Sequence, residues 1–421
     1  MLDITLFRDK PEVVKEGLSR RGLDTEIVDQ IRGLDARRRL TLSELESLRG
    51  RRNEESKAIG SGSDTHERER KIAAMREVNA QIDALETQLE EIERDLRTRL
   101  QEIPNIPRSD VPSGTSEQDN VIVHESQALP NFTFAPLPHW ELGPALGIID
   151  FERGVRLSGS RFYLLTGPGA RLQRALIQWL LDYHTSRGYR EVYPPFVVRE
   201  ECLWNAGQLP KFRDNLYHDV EDDLWLVPTA EVPLTNLHAG EILSLDQLPL
   251  HYVAYTPCFR REKMSAGHDV RGIKRGHQFD KVEMYKFTTP ETSPEELEAM
   301  LADGEAVLNA LALPYRVKKL CAGDLGFGSV ITYDIEVWAP GCDEWLEVSS
   351  ISDVGSFQTR RAGIRFRRPR AASTEYAHTL NGSGLGIPRT MIAILENYQQ
   401  KDGSIRVPEV LRARMETDAI C

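Results

Sequence analysis

The sequence has 421 residues, which predicts two or three domains at about 100 to 200 residues each. It carries 53 lysines and arginines against 65 aspartates and glutamates, a formal net charge of −12. That balance excludes a uniformly basic nucleic-acid coat but leaves room for a local basic surface. No apolar run approaches the roughly 20 residues that span a bilayer, and the N-terminal stretch contains acids and a proline where a signal peptide would be apolar. We therefore expect a soluble, cytoplasmic protein without a membrane segment.

The cysteines give no sign of a disulfide framework or of a local zinc knuckle. They are widely spaced and form no C-x-x-C pair: Cys202, Cys258, Cys321, Cys342 and Cys421. Reduced thiols are the expected state.

The first 103 residues are dominated by helical patterns. Apolar residues in the second half alternate steps of three and four, as a coiled-coil seam does: Met75, Val78, Ile82, Leu85, Leu89, Ile92 and Leu96. An earlier segment repeats the rhythm with polar interruptions: Ile27, Ile31, Leu34, Arg38, Thr41, Leu45 and Leu48. The glycine and serine residues at 60–64 predict a turn between them. The sequence thus predicts an antiparallel two-helix arm, each helix of about 35 residues reaching roughly 50 Å.

The composition changes after this arm. Residues 104–120 are rich in proline and polar residues and predict a linker. Residues 121–421 contain short alternating runs and a few amphipathic helices, for example residues 171–187. The predicted fold class is α+β: a long antiparallel helical arm, followed by a domain with a mainly antiparallel sheet flanked by helices.

The most informative segment is residues 257–287, which predicts two strands joined by a basic loop. Strand alternation places Phe279, Lys281, Glu283 and Tyr285 on one face, with Val282 and Met284 on the other. Four residues separate Phe279 from Glu283, or about 13 Å. A nucleotide base could stack at one end while an ammonium or hydroxyl group binds at the other. The alternative is a solvated hairpin with cross-strand ion pairs.

The first strand of that hairpin ends in charged residues. Arg260 and Glu262 share a face, and a guanidinium suits a phosphate or carboxylate through paired hydrogen bonds. Alternation turns Arg261 to the opposite face.

Three weaker patterns accompany the hairpin. Thr229 and Glu231 would project together at a strand end. Glu347 and Ser350 offer oxygen ligands suited to magnesium, but they are three apart and could reach one ion only where the strand ends or bulges. In residues 381–389, glycines would let the backbone approach a ligand, and Arg389 would stand at a helix start. Each pattern alone is also compatible with an ordinary strand end or turn.

Together these patterns resemble the bacterial type of seryl-tRNA synthetase, a family of class II aminoacyl-tRNA synthetases, over essentially the whole chain. Class II motif 1 would lie near residues 188–195, motif 2 at 257–287 and motif 3 at 384–396. The resemblance divides the chain into a tRNA-binding arm at 1–103, a linker at 104–120 and a catalytic domain at 121–421. Pro195 matches the family's dimer-associated proline, so a homodimer is implied.

The resemblance also implies roles for individual residues. The catalytic set would be Arg260, Glu262 and Arg389. ATP would contact Arg260, Arg261, Glu262, Arg275, Phe279, Glu347, Val348, Ser349, Ser350 and Arg389. Serine would contact Thr229, Ala230, Glu231, Arg260, Glu283 and Ser383. Magnesium, the implied cofactor, would bind with ATP at Glu347 and Ser350. Two departures from the family pattern are Arg261, for a small residue, and Asp353, for asparagine; the second puts a local hydrogen bond in doubt.

The implied partners are ATP, L-serine and serine tRNA, with selenocysteine tRNA as an open possibility. A local basic excess in the arm fits a tRNA clamp: Arg32, Arg37, Arg38, Arg39, Arg49, Arg51, Arg52 and Lys57. An ordinary solvated coiled-coil face is the alternative for these residues. For the whole chain, the alternatives are an amino-acid ligase that loads a carrier protein and a non-catalytic RNA-binding regulator on a synthetase scaffold.

Overall fold

The structure is a computed structural model that describes residues 1–59, 65–126, 128–263 and 271–421. It divides into two compact units, Met1–Pro104 and Asn105–Cys421. The predicted turn at 60–64 lies outside the described residues. No helix in the described ranges is long and apolar enough to cross a membrane.

The regular secondary structure in the described residues of the first unit is all helical. It contains α1 (Ile4–Asp9), α2 (Pro11–Arg20), α3 (Glu26–Ile59) and α4 (Thr65–Gln101). The predicted seam is confirmed, because Leu45, Val78 and Ile82 are buried together where α3 packs on α4. Ion pairs cross between the two helices, from Arg38 to Glu93 at 2.8 Å and from Arg49 to Glu86 at 2.7 Å. The residue number rises from 38 to 49 along α3 while that of the partner falls from 93 to 86 along α4, so the two helices are antiparallel.

The second unit is built on a sheet with many short accessory strands. Its strands are β1 (Val121–Glu125), β2 (Ile149–Asp150), β3 (Leu164–Leu165), β4 (Arg190–Glu191), β5 (Val197–Arg199), β6 (His218–Asp219), β7 (Leu224–Leu226), β8 (Ile242–Ser244), β9 (Leu250–Phe259), β10 (Gln278–Thr288), β11 (Tyr315–Lys319), β12 (Ile331–Ala339), β13 (Glu344–Gly355), β14 (Arg365–Arg367), β15 (Glu375–Tyr376), β16 (His378–Gly386), β17 (Ile405–Arg406) and β18 (Ala419–Ile420).

Nine α-helices in the described part of this unit accompany the strands. They are α5 (His139–Ala145), α6 (Phe151–Ser158), α7 (Gly167–Ser186), α8 (Glu200–Asn205), α9 (Glu231–Thr235), α10 (Ser293–Ala310), α11 (Phe357–Ala362), α12 (Ile387–Asn397) and α13 (Glu409–Met415).

The main sheet has eight strands in the order β1-β11-β12-β13-β16-β10-β9-β4. Every neighbouring pair is antiparallel except β4 with β9, so the predicted fold class is confirmed. Helices α7, α10 and α12 cover one face, and apolar side chains such as Val282 and Met284 are buried there. On the other face Tyr285 and Phe287 are buried in a smaller core. The rest of that face is open and carries the candidate site.

Candidate active site

A cavity of about 470 Å³ opens on the uncovered face of the main sheet, between β10, β13, β16 and the start of α12. It brings together most of the residues that the sequence assigned to ATP, magnesium and serine. Those lining it are Glu231, Arg260, Glu262, Arg275, Phe279, Glu283, Glu347, Val348, Ser350, Ser383 and Arg389. The four assigned residues that do not line it are Thr229, Ala230, Arg261 and Ser349.

Strand β10 forms the floor of this cavity, as its alternation predicted. Phe279, Lys281 and Glu283 line the cavity, while Val282 and Met284 point into the main core. Tyr285 continues the same face but is fully buried, so the cavity ends before it. The aromatic ring and the carboxylate therefore lie at different positions along one open strand face.

One end of the cavity presents acceptor oxygens. Glu283 is 1% exposed, and its Oε2 accepts from the Thr229 hydroxyl at 3.4 Å and pairs with the Lys281 ammonium. Within the described chain, the buried Oε1 of Glu283 and Oδ1 of Asn381 accept no hydrogen bond. A buried acceptor without a partner costs about 1–3 kcal/mol. Both residues line the cavity, so a ligand with ammonium or hydroxyl donors would satisfy them.

Glu231 lies at the same end, but its backbone differs from the prediction. Thr229 and Glu231 are not on a strand: Glu231 begins the short helix α9, and its N–H donates to the Thr229 hydroxyl at 3.2 Å. Burial, with the nearby negative charge of Glu283, raises the pKa of Glu231 to about 7. The Gln358 amide donates to Glu231 Oε1 at 2.6 Å and fixes the orientation of the carboxyl group.

The other end of the cavity is basic and aromatic. The Arg260 guanidinium lies 5.1 Å from the centre of the Phe279 ring, and its Nε donates to the Pro228 carbonyl at 3.2 Å. Glu262 has a backbone φ of 49°, a left-handed conformation that is unfavourable for a residue with a side chain. Its carboxylate is 3.9 Å from Arg275 Nη1. Two guanidinium groups, those of Arg260 and Arg275, thus line the same end of the cavity as the Phe279 ring.

Arg389 closes the cavity from α12, near the helix start as predicted. Its Nη1 donates to the Glu347 carbonyl at 2.7 Å and lies 3.7 Å from the Glu347 carboxylate. The start of α12 is therefore tied to β13 at the residue assigned to magnesium.

Strand β13 contains the bulge that the Glu347 and Ser350 pair requires. Ile335 pairs with Ser349 and Glu336 with Glu347, so Val348 is the extra residue. The bulge leaves Glu347 and Ser350 lining the cavity together.

The donor set near the bulge fits magnesium. Asp334 lies opposite Ser350 on β12, and together with Glu347 it lines an adjoining cavity. Burial and the negative charge of Glu347 raise the pKa of Asp334 well above its usual range. Its Oδ1 accepts no hydrogen bond from the residues that the structure describes. The Asp334 oxygen, the Glu347 carboxylate and the Ser350 hydroxyl are all oxygen donors, which are the ligands that a hard divalent cation prefers.

The residues outside the cavity have local explanations. Arg261 points away, as alternation predicted: its Nε donates to the Leu216 carbonyl at 2.8 Å, and its guanidinium lies over the Tyr217 ring. This geometry gives no support to the ATP contact that the resemblance assigned to Arg261. The Ser349 hydroxyl donates to the Ser383 carbonyl at 2.6 Å and so supports the wall. Thr229 and Ala230 are buried behind Glu231 and Glu283.

The glycine-rich segment at 381–386 has a different backbone structure from the turn that the sequence allowed. Residues 381–386 belong to β16 and are not a turn. A Cβ on Gly382 would come within 2.8 Å of the Ile351 side chain, and one on Gly384 within 2.8 Å of the His184 ring. These glycines therefore serve close packing on the core side, while Asn381 and Ser383, which alternate with them along β16, line the cavity.

Lys281 and Asn381 line the cavity and Asp334 lines the adjoining one, and none of the three was assigned a role from the sequence. Lys281 shares the predicted face of β10, so alternation could have included it. Asn381 and Asp334 become notable only through their missing partners, which a sequence does not record.

Two family models match the chain. The N-terminal domain of seryl-tRNA synthetases matches residues 1–107, and the class II core domain of the tRNA synthetases for G, H, P, S and T matches residues 212–398. The serine–tRNA ligase of Roseiflexus sp. (strain RS-1) is 62% identical over 415 residues, covering 99% of this chain and 98% of the relative. That of Dehalococcoides mccartyi (strain 195) is 56% identical and covers 100% of both chains.

Solved structures agree with these matches. The seryl-tRNA synthetase of Pyrococcus horikoshii complexed with ATP superimposes with a TM-score of 0.93 at 37% identity, covering 100% of this chain and 99% of that one. The cytoplasmic serine–tRNA ligase of Naegleria fowleri in complex with AMP has a TM-score of 0.89 at 30% identity, with 100% and 98% coverage. The helical arm, the antiparallel sheet and the cavity residues thus occur together in a chain that belongs to the seryl-tRNA synthetase family of class II aminoacyl-tRNA synthetases.

Proposed function

We propose that this protein is a serine–tRNA ligase that works in the cytoplasm, where ATP and tRNA are found. An oxygen of the serine carboxylate attacks the α-phosphorus of ATP, forming seryl-adenylate and releasing pyrophosphate. The 3′-terminal hydroxyl of serine tRNA then attacks the seryl carbonyl and releases AMP. The observation that carries the proposal is one cavity along β10: acceptor oxygens without a partner among the described residues lie at one end, and arginines with an aromatic ring lie at the other.

The basic end would hold ATP and the reacting carboxylate. Arg260 would bind the serine carboxylate and the α-phosphate together, which neutralises two anions that repel each other before they react. Phe279 would stack on adenine, while Glu262 would help to bind ATP. Arg275 and Arg389 would contact the outer phosphates. The carboxylate is already an anion, so positioning and charge neutralisation do most of the catalysis, and no general base is needed.

Magnesium would be held by Glu347 and Ser350. When bound, it would supply positive charge that offsets the charge developing on the pyrophosphate leaving group. The protein would hold the oxygen donors of Glu347 and Ser350 on one side of β13. The bulge at Val348 allows both side chains to point to that side. Arg389, bonded to the Glu347 carbonyl, would keep α12 and this donor pair in register.

The acidic end would select serine. Glu283, Glu231 and Ser383 would line the position where the ammonium and hydroxyl groups bind, with Thr229 and Ala230 behind them. Alanine would leave buried oxygens unpaired, which is a strong penalty, whereas rejection of threonine depends on steric closure against one methyl group. We therefore propose stronger discrimination against alanine than against threonine.

The arm would bind tRNA through its free cations. Of the eight basic residues of the arm noted between positions 32 and 57, four form ion pairs with carboxylates, namely Arg32, Arg38, Arg39 and Arg49. Within the described chain, no carboxylate lies at ion-pair distance from Arg37, Arg51, Arg52 or Lys57. Charges without a protein partner are the ones available to RNA phosphates, and such recognition depends on shape and backbone.

We also propose a homodimer formed through motif 1. Strand β4 lies at the edge of the main sheet, and Tyr193, two residues beyond it, is 79% exposed. Light scattering combined with size-exclusion chromatography would give twice the mass of the chain.

Serine-dependent exchange of pyrophosphate into ATP tests the proposal, with threonine, alanine and glycine as comparison substrates. We expect exchange with serine, followed by charging of purified serine tRNA; selenocysteine tRNA is tested in the same assay. Exchange without tRNA charging would instead favour a ligase that loads a carrier protein. Absence of any exchange by the folded protein would favour a non-catalytic RNA-binding role.

A further inference from the structure

A buried group of side chains next to the cavity has no role in the reaction described above. Its centre is Glu396 in α12, which is fully buried. The Glu396 carboxylate accepts five hydrogen bonds: from the backbone N–H groups of His139 (2.9 Å), Gly341 (2.9 Å) and Cys342 (3.0 Å), from His139 Nδ1 (2.8 Å) and from the Cys342 thiol (3.0 Å). Burial alone would raise the pKa of Glu396, but these hydrogen bonds hold it below its ordinary value.

This arrangement fixes the tautomer of His139. The proton on Nδ1 is donated to Glu396, so Nε2 carries a lone pair and acts as an acceptor. Nε2 accepts the backbone N–H of Ile273 at 3.2 Å. His139 is fully buried, so water does not replace either contact.

The backbone next to Ile273 lies directly on the imidazole ring. Gly272 has a φ of +73°, and a Cβ at this position would lie 1.9 Å from His139 Nε2. Only glycine combines that backbone conformation with so close an approach. Ile273 is itself 1% exposed, and the next two residues, Lys274 and Arg275, line the cavity.

We propose that His139 is a positioning residue for ATP. Glu396 holds the imidazole, the imidazole holds the backbone at Gly272 and Ile273, and this anchor directs Lys274 and Arg275 at the outer phosphates of the nucleotide. The inference rests on the proposed function for its substrate. It adds a contact between α12 and the part of the motif 2 segment that precedes β10, and none of the assigned ligand contacts includes it.

A metal site is the other way to use these side chains, since one ligand atom each from His139, Cys342 and Glu396 lie within 4.8 Å of one another. The hydrogen bonds of these side chains argue against a metal site. The Cys342 thiol and His139 Nδ1 both donate to Glu396, and burial raises the pKa of Cys342, which keeps the thiol protonated. Metal ligation needs both groups deprotonated at those atoms.

Two variants separate the two hydrogen bonds of His139. In His139→Gln the side-chain oxygen reaches the position of Nε2 and can still accept from Ile273. In His139→Asn the side-chain amide reaches the position of Nδ1 and can still donate to Glu396, but Ile273 loses its acceptor. Both variants place an uncharged amide at the site, so each serves as the control for the other.

The measurements are the KM values for ATP and serine in pyrophosphate exchange, and amide hydrogen exchange of the ligand-free protein. For His139→Asn we expect the KM for ATP to rise about tenfold, the value expected for loss of one hydrogen bond worth about 1.4 kcal/mol, with the KM for serine unchanged. Amides at 272–275 should exchange faster, while those of β10 and α12 do not change. His139→Gln should restore most of the native behaviour.

Equal increases in both KM values, unchanged exchange at Ile273 in His139→Asn, or one equivalent of tightly bound zinc in the native protein would each overturn the inference. Failure of the proposed function looks different: the native protein would lack serine-dependent exchange. The amide measurement needs no substrate, and it would still decide whether His139 anchors this backbone.

Discussion

At the scale of single residues, Glu283 places the strictest requirement on the ligand that the cavity binds. Its carboxylate is buried and has one oxygen without a partner in the described chain. Replacing it with glutamine keeps the size and removes the negative charge at the end of the cavity opposite the ring of Phe279. We expect kcat/KM for serine to fall at least a hundredfold, about 2.7 kcal/mol of transition-state stabilisation, with the KM for ATP changed less than threefold.

The control for this variant is Glu295→Gln in the first turn of α10, which removes one exposed charge on the covered side of the sheet. It should behave like the unmodified protein. If Glu283→Gln weakened ATP and serine equally, the separation of a base end and an amino-acid end along β10 would be wrong.

Glu231 has a consequence for stability. Its carboxyl group titrates near 4.5 when exposed, and in the folded chain its pKa is about 7 because of burial and the charge of Glu283. Below about pH 4.5 both states are protonated; above it the unfolded state loses the proton first, so the folded state loses stability as pH rises to about 7. The full cost is roughly 3 kcal/mol.

Glu231→Gln should remove this cost and keep the acceptor for the Gln358 amide. We expect the variant without ligands to gain free energy of unfolding relative to the native protein as pH rises from 5 to 8. Denaturant titrations at each pH measure the difference. A constant difference between the two proteins across this range would contradict the assigned pKa.

At the scale of elements, the arm contains two kinds of arginine. Arg38 and Arg49 pair across α3 and α4, while Arg37 and Arg51 are exposed and pair with no described carboxylate. The double variants Arg37→Ala/Arg51→Ala and Arg38→Ala/Arg49→Ala remove the same charge. We expect the first to raise the KM for serine tRNA about tenfold and to lower the salt slope by about two, with stability unchanged.

The second double variant should instead lower the free energy of unfolding by up to about 1 kcal/mol per pair and change the KM for tRNA by less than threefold. Aminoacylation kinetics at two salt concentrations, with thermal unfolding, distinguish the two. Equal effects of both variants on tRNA would mean that only the total charge of the arm matters.

Periodicity explains why some elements could be predicted and others could not. The helices of the arm and the faces of β10 follow from local rules, since a heptad seam and a two-residue alternation are properties of the sequence itself. Thr229 and Glu231 were expected at a strand end, because a triplet of threonine, alanine and glutamate is too short to show a period that would indicate the helix start at Glu231. The glycines of β16 were misread because their reason is the side chains of Ile351 and His184, which come from distant parts of the chain.

The site was predictable to the extent that its residues are near one another in sequence or share a strand. The bulge at Val348 could be stated only as a requirement, because register depends on the partner strand β12. The oxygens of Asp334 and Asn381 that lack a partner in the described ranges, and the contact from His139 to Ile273, depend on three-dimensional packing and cannot be inferred from sequence spacing.

At the scale of the whole molecule, we expect the two compact units to have separable tasks. Replacing residues 27–101 by a short glycine and serine linker removes most of the first unit and no residue assigned to ATP, magnesium or serine. Leu45, Val78 and Ile82 are buried where α3 packs on α4. Because the deletion removes both of these helices, neither apolar face of the seam is left exposed to solvent.

We therefore expect the shortened protein to fold and to retain serine-dependent pyrophosphate exchange within a factor of about three. Charging of serine tRNA should fall steeply through its KM, and the residual charging should depend less on salt, because fewer phosphates are neutralised on binding. Before either assay, circular dichroism tests whether the shortened protein is folded, and light scattering tests whether it forms the proposed dimer. Unchanged tRNA charging would remove the arm from tRNA binding. Loss of pyrophosphate exchange in the folded dimer would show that the arm acts on the cavity as well as on tRNA.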